Sequence, residues 1–142
     1  RPEGEGKWAA TTYEVVDDLG TTALVRFRLE TGRTHQIRVH MSYQGWPIAG
    51  DDWYGGRHLS VGDILPRSTK TDVPRSTMLI DRQALHATLL GFRHPTTEND
   101  VEFVAPLHDD MLRTIRLLRE HSLVSTPGVA GTVLDLESLL DT

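Results

Sequence analysis

The 142-residue sequence contains no cysteine. That excludes a disulfide framework, a thiol nucleophile and any zinc site built on thiolates, and it fits a reducing compartment. No apolar run approaches the roughly 20 residues that cross a bilayer, and no basic-then-apolar N-terminal stretch reads as a signal peptide. The chain is therefore expected in the cytoplasm, without a membrane partner. Neither G-x-x-x-x-G-K-[ST] nor G-x-G-x-x-G occurs, so nucleotide-cofactor binding has no local support. G-x-S-x-G is absent as well. What remains is a chain of one-domain length, 38% hydrophobic and able to bury a core. It begins with Arg1 rather than Met, so it is expected to be a processed chain or a piece of a longer one.

The formal net charge of −5 argues at first against a nucleic-acid partner. Its distribution argues otherwise. Residues 1–95 hold 12 Lys/Arg against 11 Asp/Glu, whereas residues 96–142 hold 3 against 9. Arg26, Arg28, Arg33 and Arg38 fall close together, opposed only by Glu30. Screening limits distant charges to about 10 Å, so a local basic surface can bind phosphate on an acidic protein. On charge alone, a solvated face with some arginines in ion pairs is the simpler reading.

Alternation predicts a hairpin from residues 9–16 and 22–30, with a turn at Asp17–Gly20 and Arg26 and Arg28 on one face. Thr34 is the expected N-cap of a short helix over His35–Gln44, and Gly45 its C′ residue, with Ile37 and Met41 forming the apolar face. Gly56–Thr77 reads as a long loop or insertion. Residues 84–93 are apolar enough for a buried strand, and Val101, Phe103 and Ala105 alternate after it, which gives a second hairpin. Asp109 or Asp110 caps a helix with Leu112, Ile115 and Leu118 inward and Arg113, Arg116 and Arg119 outward. Ser125–Thr132 is linker-like, and Leu134–Leu140 is compatible with one or two helical turns. The order of elements predicts an α+β fold with a mixed, mostly antiparallel sheet and flanking helices.

The seven histidines form no metal site by spacing: His35 and His40 are five apart, no H-E-x-x-H occurs, and His86 and His94 lack a suitably placed carboxylate. Asp51 and Asp52 are adjacent and so cannot face each other as an acid–base pair. Their simpler reading is a Gly-Asp turn whose carboxylate bonds local backbone. The informative stretch runs from Leu29 to Tyr54. It packs Arg33, His35, Gln36, Arg38 and His40 into eight residues where a turn meets a helix. A helix start favours anions, so Arg33 is expected to meet an external anion or a buried carboxylate. Arg38 can pair bidentately with a carboxylate or phosphate.

This stretch closely resembles the signature of the RluA-type RNA pseudouridine synthases, L-x-T-G-R-T-H-Q-I-R-V-H followed by G-x-P-I-x-G-D-x-x-Y-G. Here these are Leu29–His40, then Gly45–Asp51 with Tyr54 and Gly55. Upstream, Lys7, Ala9, Thr11, Tyr13 and Val15 resemble the family's K-x-A-x-T-x-Y-x-V strand. Downstream, Arg82–Ala87 resembles R-x-x-L-H-A, and Phe92–Pro95 and Phe103–Leu107 resemble its last hairpin. The resemblance covers roughly residues 7–120 and implies the reaction. The N1–C1′ bond of a uridine in RNA breaks, the uracil rotates, and C5 joins C1′, with no metal or organic cofactor. Ribosomal RNA is the commoner substrate, transfer RNA the other. The essential group is an aspartate, usually within H-R-L-D-x-x-T-S-G, and base flipping is expected to bring the uridine to it. Arg38 matches the arginine that pairs with this aspartate and holds it ionised. Leu85 matches an apolar wall of the uracil pocket. Arg33, His35, Gln36 and His40 are implied as supports or RNA contacts.

The sequence departs from the family in three ways. H-R-L-D occurs nowhere in it. The family's active-site tyrosine belongs to a segment that would precede Lys7. Trp46 stands where the family commonly has His. The expectation is therefore the C-terminal half of a catalytic domain over residues 1–121, with a tail or appendage over 122–142. Such a chain is inactive alone for lack of the catalytic aspartate. Half a sheet leaves an open edge, so it is expected to bind the N-terminal half of the domain or to self-associate. The alternative reading is a non-catalytic RNA-binding module with the same fold, using Arg26, Arg28 and Arg33 for phosphate contacts.

Overall fold

A computed structural model describes residues 7–20 and 22–121. The proposed appendage, its linker and the helical turns over Leu134–Leu140 lie outside the described residues. Along the chain run β1 (Thr11–Asp18), β2 (Ala23–Leu29), α1 (Gln36–Tyr43), β3 (Leu59–Ser60), α2 (Val61–Ile64), β4 (Met78–Ile80), β5 (Leu89–Arg93), β6 (Asp100–Val104) and α3 (Asp109–His121). The architecture is α+β. The strands form three separate antiparallel pairs, β1–β2, β3–β4 and β5–β6, rather than one continuous sheet. No parallel pair occurs among the described residues.

The first hairpin follows the alternation, but β1 runs into the expected turn. A register shift between Val15 and Asp17 carries the strand on to Asp18 and sets Asp17 opposite Leu24. This explains why Leu24 breaks the alternation: it packs against the core, whose members here include buried Leu19. Glu14 stands opposite Arg26 and forms an ion pair with it. One member of the basic cluster therefore meets a cross-strand carboxylate, as the simpler reading of the charges expects.

The Gly56–Thr77 segment is not a plain loop. It contains β3 and α2, and its Val61, Ile64 and Leu65 are buried in the main cluster with Leu79, Ile80, Leu117 and Leu118. A reciprocal capping box starts α2. The Asp63 carboxylate accepts from both the Ser60 N–H and the Ser60 hydroxyl, at 2.8 and 2.9 Å. A four-residue helix is too short to display a 3.6-residue period, so composition concealed it.

The expected buried strand over 84–93 is also corrected. Only Leu89–Arg93 is a strand, and all five of its residues are exposed. Its sole strand partner among the described residues is β6, and nine of the ten strand residues of this ribbon are exposed. In α3, Leu112, Ile115 and Leu118 are buried as expected, and Leu117 and Thr114 join them. Arg119 does not simply point outward: its Nε donates to buried Asp17 at 2.8 Å and ties the helix to the bulge of the first hairpin.

Candidate active site

The chain enters α1 through a residue that sequence patterning could not flag. His35, not Thr34, precedes the helix, and it lies in the left-handed region at φ 50° without a side-chain cap. Gln36 anchors the helix start without capping it. Its Oε1 accepts from the Arg33 N–H at 3.0 Å and the Thr31 hydroxyl at 2.7 Å. Its Nε2 donates to the Ala10 carbonyl at 2.9 Å and the Thr11 hydroxyl at 2.8 Å. Gln36 is 5% exposed, so this amide locks the helix start onto β1 from inside. The other end follows expectation. Gly45, at φ 84°, donates to the Ser42 carbonyl and Trp46 to that of Met41, both at 3.0 Å, the pair of bonds of a Schellman motif.

This anchoring carries Arg38 toward the loop that follows α1. Its Nε donates to Asp51 Oδ2 at 2.9 Å and its Nη2 to Oδ1 at 2.8 Å. The guanidinium carbon also lies 4.9 Å from the Tyr54 ring centroid and 5.7 Å from that of Trp53. The fork and the aromatic contacts together constrain the orientation of the cation. Asp51 is 1% exposed. The Arg38 hydrogen bond holds its carboxyl below the ordinary carboxylate range against the opposing effect of burial, helped by the Trp53 and Tyr54 backbone N–H groups. Arg38 is correspondingly shifted up, chiefly by its hydrogen bond to Asp51.

The loop holding Asp51 is built on two glycines with no room for a side chain. A Cβ on Gly50, at φ +77°, would lie 1.9 Å from the Arg82 carbonyl oxygen; one on Gly56 would lie 2.1 Å from that of Ile48. The Ala84 N–H donates to the Ala49 carbonyl at 2.8 Å. That bond brings the segment bearing half-buried Leu85 against the same loop.

His35 closes the site on the helix side. Its Nδ1 lies 2.9 Å from the Tyr54 hydroxyl, and its ring meets Trp53 and Tyr54 edge-on. His35, Arg38, Asp51, Trp53 and Tyr54 thus form one contiguous cluster. His40 points elsewhere, with Nδ1 2.9 Å from the Thr11 hydroxyl. Arg33 is exposed; its Nε reaches the Trp8 carbonyl at 3.3 Å, and among the described residues it meets no buried carboxylate. No group of three metal-ligating side chains is assembled among the described residues.

Residues 1–43 match the family model described as RNA pseudouridylate synthase. The chain is 46% identical over 122 residues to ribosomal large subunit pseudouridine synthase D of Vibrio vulnificus, covering 83% of this chain and 36% of that protein. It is 45% identical over 117 residues to an uncharacterized RNA pseudouridine synthase of Bacillus subtilis, covering 82% of this chain and 33% of the other. It is 41% identical over 126 residues to the chloroplastic RNA pseudouridine synthase 2 of Arabidopsis thaliana, covering 84% and 29%. The chain belongs to the RluA-type family of RNA pseudouridine synthases. It spans about a third of the length of the curated relatives it matches.

Within this chain, the family signature folds into two connected parts. Arg38 and His35 share the cluster, while Gln36 and His40 brace α1 against β1. From sequence, Asp51 is expected to bond local backbone, and the family resemblance implies for Arg38 a carboxylate from outside these residues. Asp51 does receive nearby N–H groups, but it also takes Arg38, thirteen residues away. Trp53 and Tyr54 were missed as partners of Arg38. Tyr54 stands in the signature itself, and the available signal was an arginine preceding two consecutive aromatics by a loop length.

Proposed function

We propose that the protein to which these residues belong isomerises uridine to pseudouridine in RNA, ribosomal ahead of transfer RNA, in the cytoplasm and without a metal or organic cofactor. The N1–C1′ bond breaks, the uracil turns, C5 bonds to C1′, and the proton on C5 leaves while N1 gains one. The observation that carries this reading is the buried fork between Arg38 and Asp51, set in a segment shared with relatives named pseudouridine synthases. A fixed guanidinium is what an essential carboxylate needs beside it to stay ionised and aimed.

In this reading residues 1–121 belong to the catalytic domain and 122–142 form an appendage. The catalytic aspartate comes from a segment outside these 142 residues, and the chain alone does not turn over. Arg38 is the partner of that aspartate. Leu85 helps wall the uracil pocket, and exposed Arg33 contacts the RNA backbone. His35 and His40 support the site, and Gln36 acts from within by holding the start of α1. Any unpaired edge of the β-ribbons docks the N-terminal half of the domain or a second copy.

The test is release of tritium from C5-labelled uridine in large-subunit ribosomal RNA by the full-length protein. Stoichiometric release is expected, falling by at least about 100-fold in Arg38→Lys, which keeps the charge and loses the fork. The 142 residues alone should release none. Absence of release by the full-length protein, with salt-dependent RNA binding retained, would favour the RNA-binding module instead.

A further inference from the structure

Arginine has five N–H donors, and the fork with Asp51 uses two of them, one on Nε and one on Nη2. Both Nη1 hydrogens lie outside the fork. A guanidinium on a flexible stem would sample many orientations about its side-chain torsions, and each would aim that edge differently. Here the orientation is set from outside the arginine. Asp51 is buried, and its own backbone is pinned: its N–H donates to the Ile48 carbonyl at 3.1 Å, and its carbonyl accepts from Tyr54 at 3.2 Å and Gly56 at 2.7 Å. The tight seats of Gly50 and Gly56 prevent that backbone from drifting. Tyr54 and Trp53 complete the clamp on the cation.

We propose that Asp51 is a positioning residue for uridine isomerisation: its buried carboxylate fixes the plane and roll of the Arg38 guanidinium, so that the Nη1 edge meets the reacting groups in one orientation. This rests on the reading of the protein as a pseudouridine synthase. The requirement is geometric, because a carboxylate presents two acceptors to two parallel N–H bonds. Asparagine would turn an NH2 group toward one of those donors, and glutamate would need room the buried site lacks.

The test uses the full-length protein on a large-subunit ribosomal RNA transcript, reading tritium release. Absence of release by the wild type would defeat the functional reading itself. With the wild type active, Asp51→Asn is expected to lower kcat by about 10- to 100-fold, as orientation losses do, with KM for RNA unchanged within about twofold. Combined with Arg38→Lys, it should add little further loss, because both changes remove the same fork.

A chemical rescue keeps the test decisive if the asparagine variant does not fold. Arg38→Ala, with Asp51 intact, should regain turnover with guanidinium at sub-denaturing concentration. Tetramethylguanidinium should not rescue it, since it has the same charge but cannot donate from two nitrogens at once. Wild-type kcat in Asp51→Asn, additive losses in the double variant, equal rescue by both cations, or no rescue by guanidinium would each overturn the role of Asp51.

Discussion

At the residue scale, Gln36 and Arg38 lie two positions apart in one motif and serve different ends. All four hydrogen-bonding positions of the Gln36 amide are taken inside the chain. Gln36→Ala would leave buried donors and acceptors without partners, and it is expected to lower unfolding stability by about 2–3 kcal/mol in a urea titration. Arg38 was legible as the candidate for chemistry because the motif surrounds it. Its partner was less legible, because patterning relates neighbours in sequence and the fork closes across thirteen residues. Asp51 also fixes a pH dependence. Its carboxyl titrates lower folded than unfolded, so its contribution is fully present above the unfolded value of about 3.9 and is lost as pH falls through the folded one. Unfolding stability followed from pH 6 down to pH 2 should therefore fall less steeply in Asp51→Asn than in the unchanged chain. Equal slopes would mean that the carboxyl is not depressed.

At the element scale, the parts with a clear period were readable. The β1–β2 hairpin, β6 and α3 lie close to where alternation and helical spacing put them, whereas β5, expected from apolarity alone over 84–93, is shorter and exposed. The parts that depend on close approach were not. α2 hides in a Gly-, Pro- and Ser-rich stretch because its burial, not its sequence period, makes it a helix. The Gly50–Gly56 loop is another such case, since its shape is set by the Arg82 and Ile48 carbonyls against which it packs. Gly50→Ala combines a left-handed φ with a backbone clash. The expected loss is about 3 kcal/mol or more, with the Ala49–Ala84 hydrogen bond broken and the Leu85 segment released. Hydrogen exchange at the Ala84 amide would read the release directly, and protection equal to that of the unchanged chain would contradict it.

At the scale of the whole molecule, the main core draws on the β1–β2 and β3–β4 ribbons and on α2 and α3, none of its residues comes from β5–β6, and much apolar surface remains outside it. Leu90 and Phe103 face each other across β5–β6, each 59% exposed, and Phe92 stacks on Phe103 with ring centroids 5.9 Å apart. A patch of this kind marks a contact surface. The 142-residue chain should therefore self-associate with rising concentration in sedimentation velocity, and Leu90→Ser with Phe103→Ser should shift it toward monomer. A chain that stays monomeric at every concentration would contradict this. Charge tells a related story at this scale, because the overall −5 arises in the C-terminal third and leaves the arginine-bearing part near neutral. Uridine isomerisation by the whole protein is read most directly in a pseudouridine map of ribosomal RNA from cells lacking the gene, complemented with the wild type or with Arg38→Lys. Loss of pseudouridine at defined uridines, restored by the wild type and not by the lysine variant, is the predicted result. A map unchanged by deletion, or one restored equally by both forms, would contradict it.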